Sequence, residues 1–208
     1  SHERSERGQS PASASVAWLL MAVGLNGAIL LLWTEQWRRF VPDDPGRPGY
    51  GRLFEVVSVM STVSNSVPFL AGQAAGVHLL ATRGGTGHAV ALSVLALDQL
   101  AEGLAKLSVL ALLALLVPLP PGVREAAVAV GIGVAALAAG MTALAWLQRR
   151  GTLGRFADRL ARALEAVRNP RTLVAGIGLA LAMKAAEGGA IVAVQHALGV
   201  ELPFWATV

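Results

Sequence analysis

The sequence predicts an all-α, polytopic membrane helical bundle, and three observations predict it. Of the 208 residues, 54% are hydrophobic and only 14% are charged, where a soluble domain carries about 25% charged residues. The apolar residues gather into runs near the roughly 20 residues that a helix needs to cross ~30 Å of hydrocarbon. Most of the 17 basic residues lie between those runs rather than in one patch. So apolar a chain is not disordered. With no cysteine, a disulfide framework, a zinc finger and a thiol nucleophile are excluded.

The first span runs from about Val16 to Trp33. Arg4 and Arg7 precede it as they would a signal peptide or signal anchor, but Glu3 and Glu6 balance them and TEQWRRF offers no small-residue cleavage site. It therefore reads as a membrane helix with Trp33, Trp37, Arg38 and Arg39 at the cytoplasmic interface.

Residues 53–81 read differently. Ser58, Ser61, Thr62, Ser64, Asn65 and Ser66 precede Pro68 and Gly72, and a broken polar backbone is tolerated at membrane depth only inside protein or beside water. The segment is either one kinked span or a re-entrant hairpin of two half-helices meeting near Asn65 to Gly72. A kinked span divides the arginines 10 against 5 across the membrane, whereas a hairpin divides them 12 against 3. The positive-inside rule thus favours re-entry, with the N-terminus outside and loops 34–53 and 148–171 cytoplasmic.

Three further spans follow, at about 89–117, 125–147 and 172–198. Gly84, Gly85 and Gly87 resemble a nucleotide loop, but no strand precedes them, and a tight cytoplasmic turn is expected. Gly131, Gly133 and Gly140 are expected to permit close helix packing. Thr152 to Arg168 places Leu153, Phe156, Leu160, Leu164 and Val167 at helical spacing with arginines on other faces, as in a helix lying on the membrane surface or, alternatively, a solvated linker. Thr152 suits its N-cap, and Asn169 with Pro170 starts the last span.

Charges stand where lipid is expected. Asp98, Glu102 and Lys106 form an every-fourth-residue stripe, and Lys184 with Glu187 sits near the middle of the last span. At roughly 2.5–3.5 kcal/mol each, five unpaired charges at mid-membrane would cost on the order of 15 kcal/mol. They either pair and fix helix register or line a polar path opposite the Asn65–Gly72 break. The four histidines, His2, His78, His88 and His196, lack metal-ligand spacing, so neither metal nor cofactor is predicted, and no nucleophile and base grouping argues for an enzyme. Aromatic residues interleaved with basic ones, which nucleic acid would require, are missing, and anionic lipid is the simpler partner for the arginines.

The runs SNSVPFLAGQAAGVHLLATRGG and AVALSVLALDQLAEGL resemble the first half of the lysylphosphatidylglycerol synthetase/flippase transmembrane family. That family carries N-x-x-P-x-x-x-G-E-x-x-R and then an E-x-x-x-D pair. Asn65, Pro68 and Gly72 match, Gln73 replaces the acid, Gly76 replaces the arginine, and Asp98 with Glu102 reverses the acidic pair. WTEQWRRF is similar to the family's Arg-Trp element. The resemblance covers most of residues 16–205 and implies a bacterial inner-membrane protein that moves a lipid or lipid-linked headgroup between leaflets, with any catalysis in a separate soluble domain. The departures at 73 and 76 put the family's roles at those positions in doubt. A short echo, Asn26-Gly-Ala-Ile-Leu-Leu against Gly188-Gly-Ala-Ile-Val-Ala, predicts an inverted repeat whose second copy stops at ELPFWATV, so a longer chain is expected.

The expected function is lipid translocation. Arg38, Arg39 and Arg83 would recruit a headgroup, Asn65, Pro68, Gly72 and Gln73 would receive it, and Asp98, Glu102, Lys106, Lys184 and Glu187 would line its route. Two alternatives stand beside it: a non-catalytic scaffold for a lipid-synthesis enzyme or glycosyltransferase, and an ion-coupled solute carrier. A membrane-enzyme partner or a second copy of the chain is compatible with these readings.

Overall fold

The computed structural model describes residues 11–67, 71–116, 121–149 and 170–199. Among them are six helices and no strand: α1 (Pro11–Phe40), α2 (Tyr50–Ser66), α3 (Ala71–Thr82), α4 (His88–Leu116), α5 (Pro121–Arg149) and α6 (Pro170–Leu198). Three segments are long and apolar enough to cross a membrane: Ser15–Phe40, Gly122–Ala143 and Arg171–Leu198. α4, which carries Asp98, Glu102 and Lys106, is not among the three, though its 29 residues are as many as α5 has. The expected surface helix at 152–168 and its cap at Thr152 lie outside the described residues, as do Pro68 and Asn169.

α1 is longer than its apolar run. The expected loop from 34 to 53 shrinks to the joint Val41–Gly49, because TEQWRRF contains no helix breaker and Glu35 binds Arg38 and Arg39 one turn on, at 2.8 and 3.0 Å. The joint itself, VPDDPGRPG, is tied by Arg47. Its guanidinium binds Asp43 at 2.9 Å and donates to the Arg38 carbonyl oxygen, while its backbone N–H donates to the Asp44 carbonyl oxygen.

Residues 50–82 form two helices instead of one kinked span. α2 stops at Ser66 because Val67 precedes a proline, which drives it out of the helical region to φ −126°, ψ 128°. α3 then turns back along α2. A Cβ on Gly72 would stand 2.8 Å from Ser64 Cβ and 2.9 Å from the Met60 carbonyl oxygen, one on Gly76 would strike Met60 Sδ, and Arg83 reaches Glu55 at 2.9 Å. Rising numbers on one helix meet falling numbers on the other, so the pair is antiparallel. The two glycines let the backbones approach this closely.

The chain divides into two compact units, Leu30–Ala182 and Ser1–Ile29 with Met183–Val208. In the larger, α2, α3, α4 and α5 pack in sequence order, around buried Trp37, Phe40, Leu53, Met60, Leu80, Leu97 and Ala101. The start of α6 belongs to this core, where Gly176 lies under the Phe40 ring and a Cβ there would stand 2.5 Å from Cζ. Gly176→Ala is therefore expected to cost about 1–3 kcal/mol by overpacking, read as a lower thermal midpoint of the purified protein. In the smaller unit the Trp18 and His196 rings stand 4.6 Å apart and Gly189 faces Leu25, so its two helical segments are antiparallel too.

Glycine placement corrects one expectation. Gly133 and Gly140 have nothing within 4 Å among the described residues, and Gly131 has only ordinary contact with Leu107 at 3.9 Å. The close approaches fall instead at Gly72, Gly76, Gly103, which abuts Val134, and Gly176. Small residues allow contact, but which face of a helix meets a neighbour depends on partners far off in the chain. The turn expected at Gly84–Gly87 does form. Gly85 and Gly87 take φ 72° and 78°, values that only glycine reaches cheaply, and Thr86 Oγ1 donates to the Leu80 carbonyl oxygen at 3.0 Å.

Candidate functional site

The larger unit gathers a polar node where the end of α1 meets α3 and α4. Asp98 is buried on α4, and Trp33 Nε1 donates to its Oδ1 at 2.9 Å. Gln99 Nε2 donates more loosely to Oδ2 at 3.4 Å. The Trp37 indole also lies against this carboxyl group, but its Nε1 makes no hydrogen bond. Among the described residues no cation pairs with Asp98. A buried carboxyl group ordinarily has a positive partner, so this one is held by neutral donors alone.

More unmet polar atoms lie nearby in the same unit. Gln73 Oε1, Gln36 Oε1 and Trp37 Nε1 are all buried without a partner, although Gln36 Nε2 does donate to the Gly176 carbonyl oxygen at 3.0 Å. Buried side-chain polar atoms are mostly satisfied; Arg47 Nε and Ser58 Oγ are the other unmet atoms among the described residues, and of the whole set the Trp37 indole is the group that lies against Asp98.

Gln73 and Gln99 meet at one end of a groove of about 440 Å³ between α3 and α4. Ala74, Val77, Leu92 and Leu95 form its wall, and His78 and His88 stand at the other end. Gln73 directly follows Gly72, which packs on Ser64 and Met60 of α2, and Gln73 itself lines the groove toward α4.

The residues expected to act together divide into three groups. Gln73 shares the groove with Gln99, and Gln99 binds Asp98; nothing in its spacing singled Gln99 out. Glu102 and Lys106 leave the stripe to bind each other at 2.8 Å, and Lys184 binds Glu187 at 2.7 Å in the smaller unit. Asn65 is exposed on the last turn of α2 and Gly72 is buried. The hydroxyls near the break serve their own helix, Thr62 Oγ1 donating to the Ser58 carbonyl oxygen and Ser66 Oγ to that of Thr62, at 2.9 and 2.8 Å.

The arginines expected to recruit a headgroup are each engaged, Arg38 and Arg39 by Glu35 and Arg83 by Glu55. The last pair is 64% and 57% exposed, so Arg83→Ala should change stability by less than about 1 kcal/mol, checked by thermal melting. Sequence reasoning used Trp33 only as an interface anchor. Its spacing of four from Trp37, both on the helix face away from the Glu35–Arg38–Arg39 pairs, was the available signal.

Comparison with known proteins adds one match. The family described as Lysylphosphatidylglycerol synthase TM region matches residues 5–208. No curated protein and no solved structure matches the chain.

Proposed function

We propose that this chain, which belongs to the lysylphosphatidylglycerol synthase transmembrane-region family and is a multi-pass membrane protein of lipid-metabolism type, translocates a lipid or lipid-linked headgroup between leaflets. The observation that carries the reading is the buried Asp98 carboxyl group, without a cation among the described residues and bound by Gln99, which lines the same groove as Gln73 just past the break between α2 and α3. α2 and α3, at 17 and 12 residues, are about 25 and 18 Å long, short of the ~30 Å hydrocarbon core. An antiparallel pair of that length enters and leaves by one face, and in this reading the hairpin is re-entrant from the cytoplasmic side of a bacterial inner membrane, with the N-terminus outside. The non-helical backbone at Val67 is then sheltered by protein.

In this mechanism the lipid's tails stay in the bilayer while the headgroup passes the glutamines and the Asp98 carboxylate, which replace part of its lost hydration. Hydrogen-bond donors of the headgroup, an ammonium or hydroxyl rather than its phosphate, would satisfy Gln73 Oε1 and compensate Asp98. No catalytic step is assigned to these residues, and any synthesis would belong to another domain or protein. The test is exchange of a fluorescent phospholipid between leaflets of vesicles containing the purified protein. Exchange should be accelerated and should slow in Asp98→Asn. Equal rates in vesicles with and without protein would end the reading.

The internal pairing of Glu102 with Lys106 and of Lys184 with Glu187 favours a structural role for those four residues, as a membrane scaffold would have. A scaffold predicts a lipid-synthesis enzyme that copurifies with the chain and survives replacement of Asp98, with no exchange activity.

A further inference from the structure

We propose that the groove between α3 and α4 is a berth for one phosphate-bearing lipid, with the phosphate between His78 and His88 and an acyl chain along Val77, Leu92 and Leu95. The proposal rests on the translocator reading for its membrane setting and deepens it by placing the lipid on named residues of α3 and α4.

The two imidazoles flank the α3–α4 turn with centroids 6.4 Å apart and planes inclined by 54°. No described residue hydrogen-bonds their ring nitrogens, so each ring keeps an N–H donor available, and a phosphate offers strong acceptor oxygens to both. Arg83 is on the same turn but is held by Glu55 at 2.9 Å, which leaves the histidines as the unengaged donors there. Beyond them the wall is apolar, and Leu92 is 40% exposed. From His88 to Gln99 the groove follows about 16 Å of α4. A free phosphate ion would use the histidine end and leave that wall bare, whereas an amphiphile covers both. The groove also leads from the turn toward Gln73 and Gln99, which are the entry to the Asp98 node.

The test uses the whole chain in a phosphate-free maltoside detergent. The probes are phosphatidic acid and diacylglycerol bearing the same photoactivatable acyl chain, and labelled peptides are read by mass spectrometry. Phosphatidic acid is expected to label residues 71–99 at least about tenfold more than diacylglycerol, the worth of two hydrogen bonds. His78→Phe with His88→Phe should reduce it to the diacylglycerol level, and the Gln pair, which keeps N–H donors, should retain most of it. Both histidines are exposed, and should the Phe pair fail to fold, Leu95→Trp fills the wall and should lower labelling with the histidines intact. Equal labelling by the two lipids, labelling indifferent to the histidines, or displacement by inorganic phosphate would each overturn the berth. The two readings fail separately. Labelling as expected with exchange no faster in vesicles with protein than without it removes the translocator and keeps the berth, and the reverse pattern removes the berth alone.

Discussion

Gly76→Arg, which restores the residue of the family pattern at this position, is expected to break the α2–α3 hairpin. A Cβ there already collides with Met60 Sδ and would stand 3.1 Å from Met60 Cγ and 3.2 Å from Trp37 Cη2. Met60 and Trp37 are fully buried and have nowhere to retreat. The cost is at least about 3 kcal/mol, the upper end of ordinary overpacking, before the desolvation of a guanidinium is added. Fluorescence-detected gel filtration after heating should show loss of the monodisperse protein far below the natural midpoint. Gly140→Ala is the control, since no described residue lies within 4 Å of a Cβ there. It should gain about 0.5–1 kcal/mol of helix propensity. An arginine tolerated at 76 would mean that α3 does not lie on α2 as described.

The second large effect is expected at Asp98, and it separates packing from charge. Asp98→Asn keeps an oxygen for the Trp33 N–H and removes a buried charge that no cation offsets, so it should melt no lower than the natural protein. Asp98→Ala leaves that indole N–H without its acceptor, at about 1–3 kcal/mol, and should melt lower. Lipid exchange should follow the other pattern, slowing in both. Losing a charge-assisted contact worth about 1.5–3 kcal/mol slows exchange by about ten- to a hundredfold. Trp33→Phe, which frees the carboxyl group from its donor while keeping its charge, should melt lower and retain more exchange than Asp98→Asn. Full exchange in Asp98→Asn would remove the carboxylate from the path.

Much of the fold was legible because hydrocarbon imposes a length that sequence displays directly. The spans expected near 125–147 and 172–198 became Pro121–Arg149 and Pro170–Leu198, and the break was marked by Pro68, whose effect on Val67 is local. The end of α1 was less legible, because Glu35, Arg38 and Arg39 look like loop residues in a hydropathy profile but pair with one another along a helix. The site was legible in part. Asp98 and Gln73 stood out as polar residues among apolar ones, yet spacing alone placed Asp98 in a stripe with Glu102 and Lys106. The structure turns Asp98 inward to Trp33 and pairs Glu102 with Lys106, an arrangement set at Asp98 by a partner 65 positions away. The same holds for glycine: Gly76 and Gly140 are indistinguishable in sequence, and only the helix lying opposite makes one irreplaceable.

The hydroxyls of α2 have a consequence for how such segments are recognised. A transfer scale prices each serine or threonine as a group that must give up water, and Tyr50–Ser66 carries five of them from Ser58 to Ser66. Thr62 and Ser66 have already exchanged that water for carbonyl oxygens one turn back. Their own partition penalty is therefore smaller than their side chains suggest, whereas Ser58, whose Oγ has no partner among the described residues, keeps the full cost.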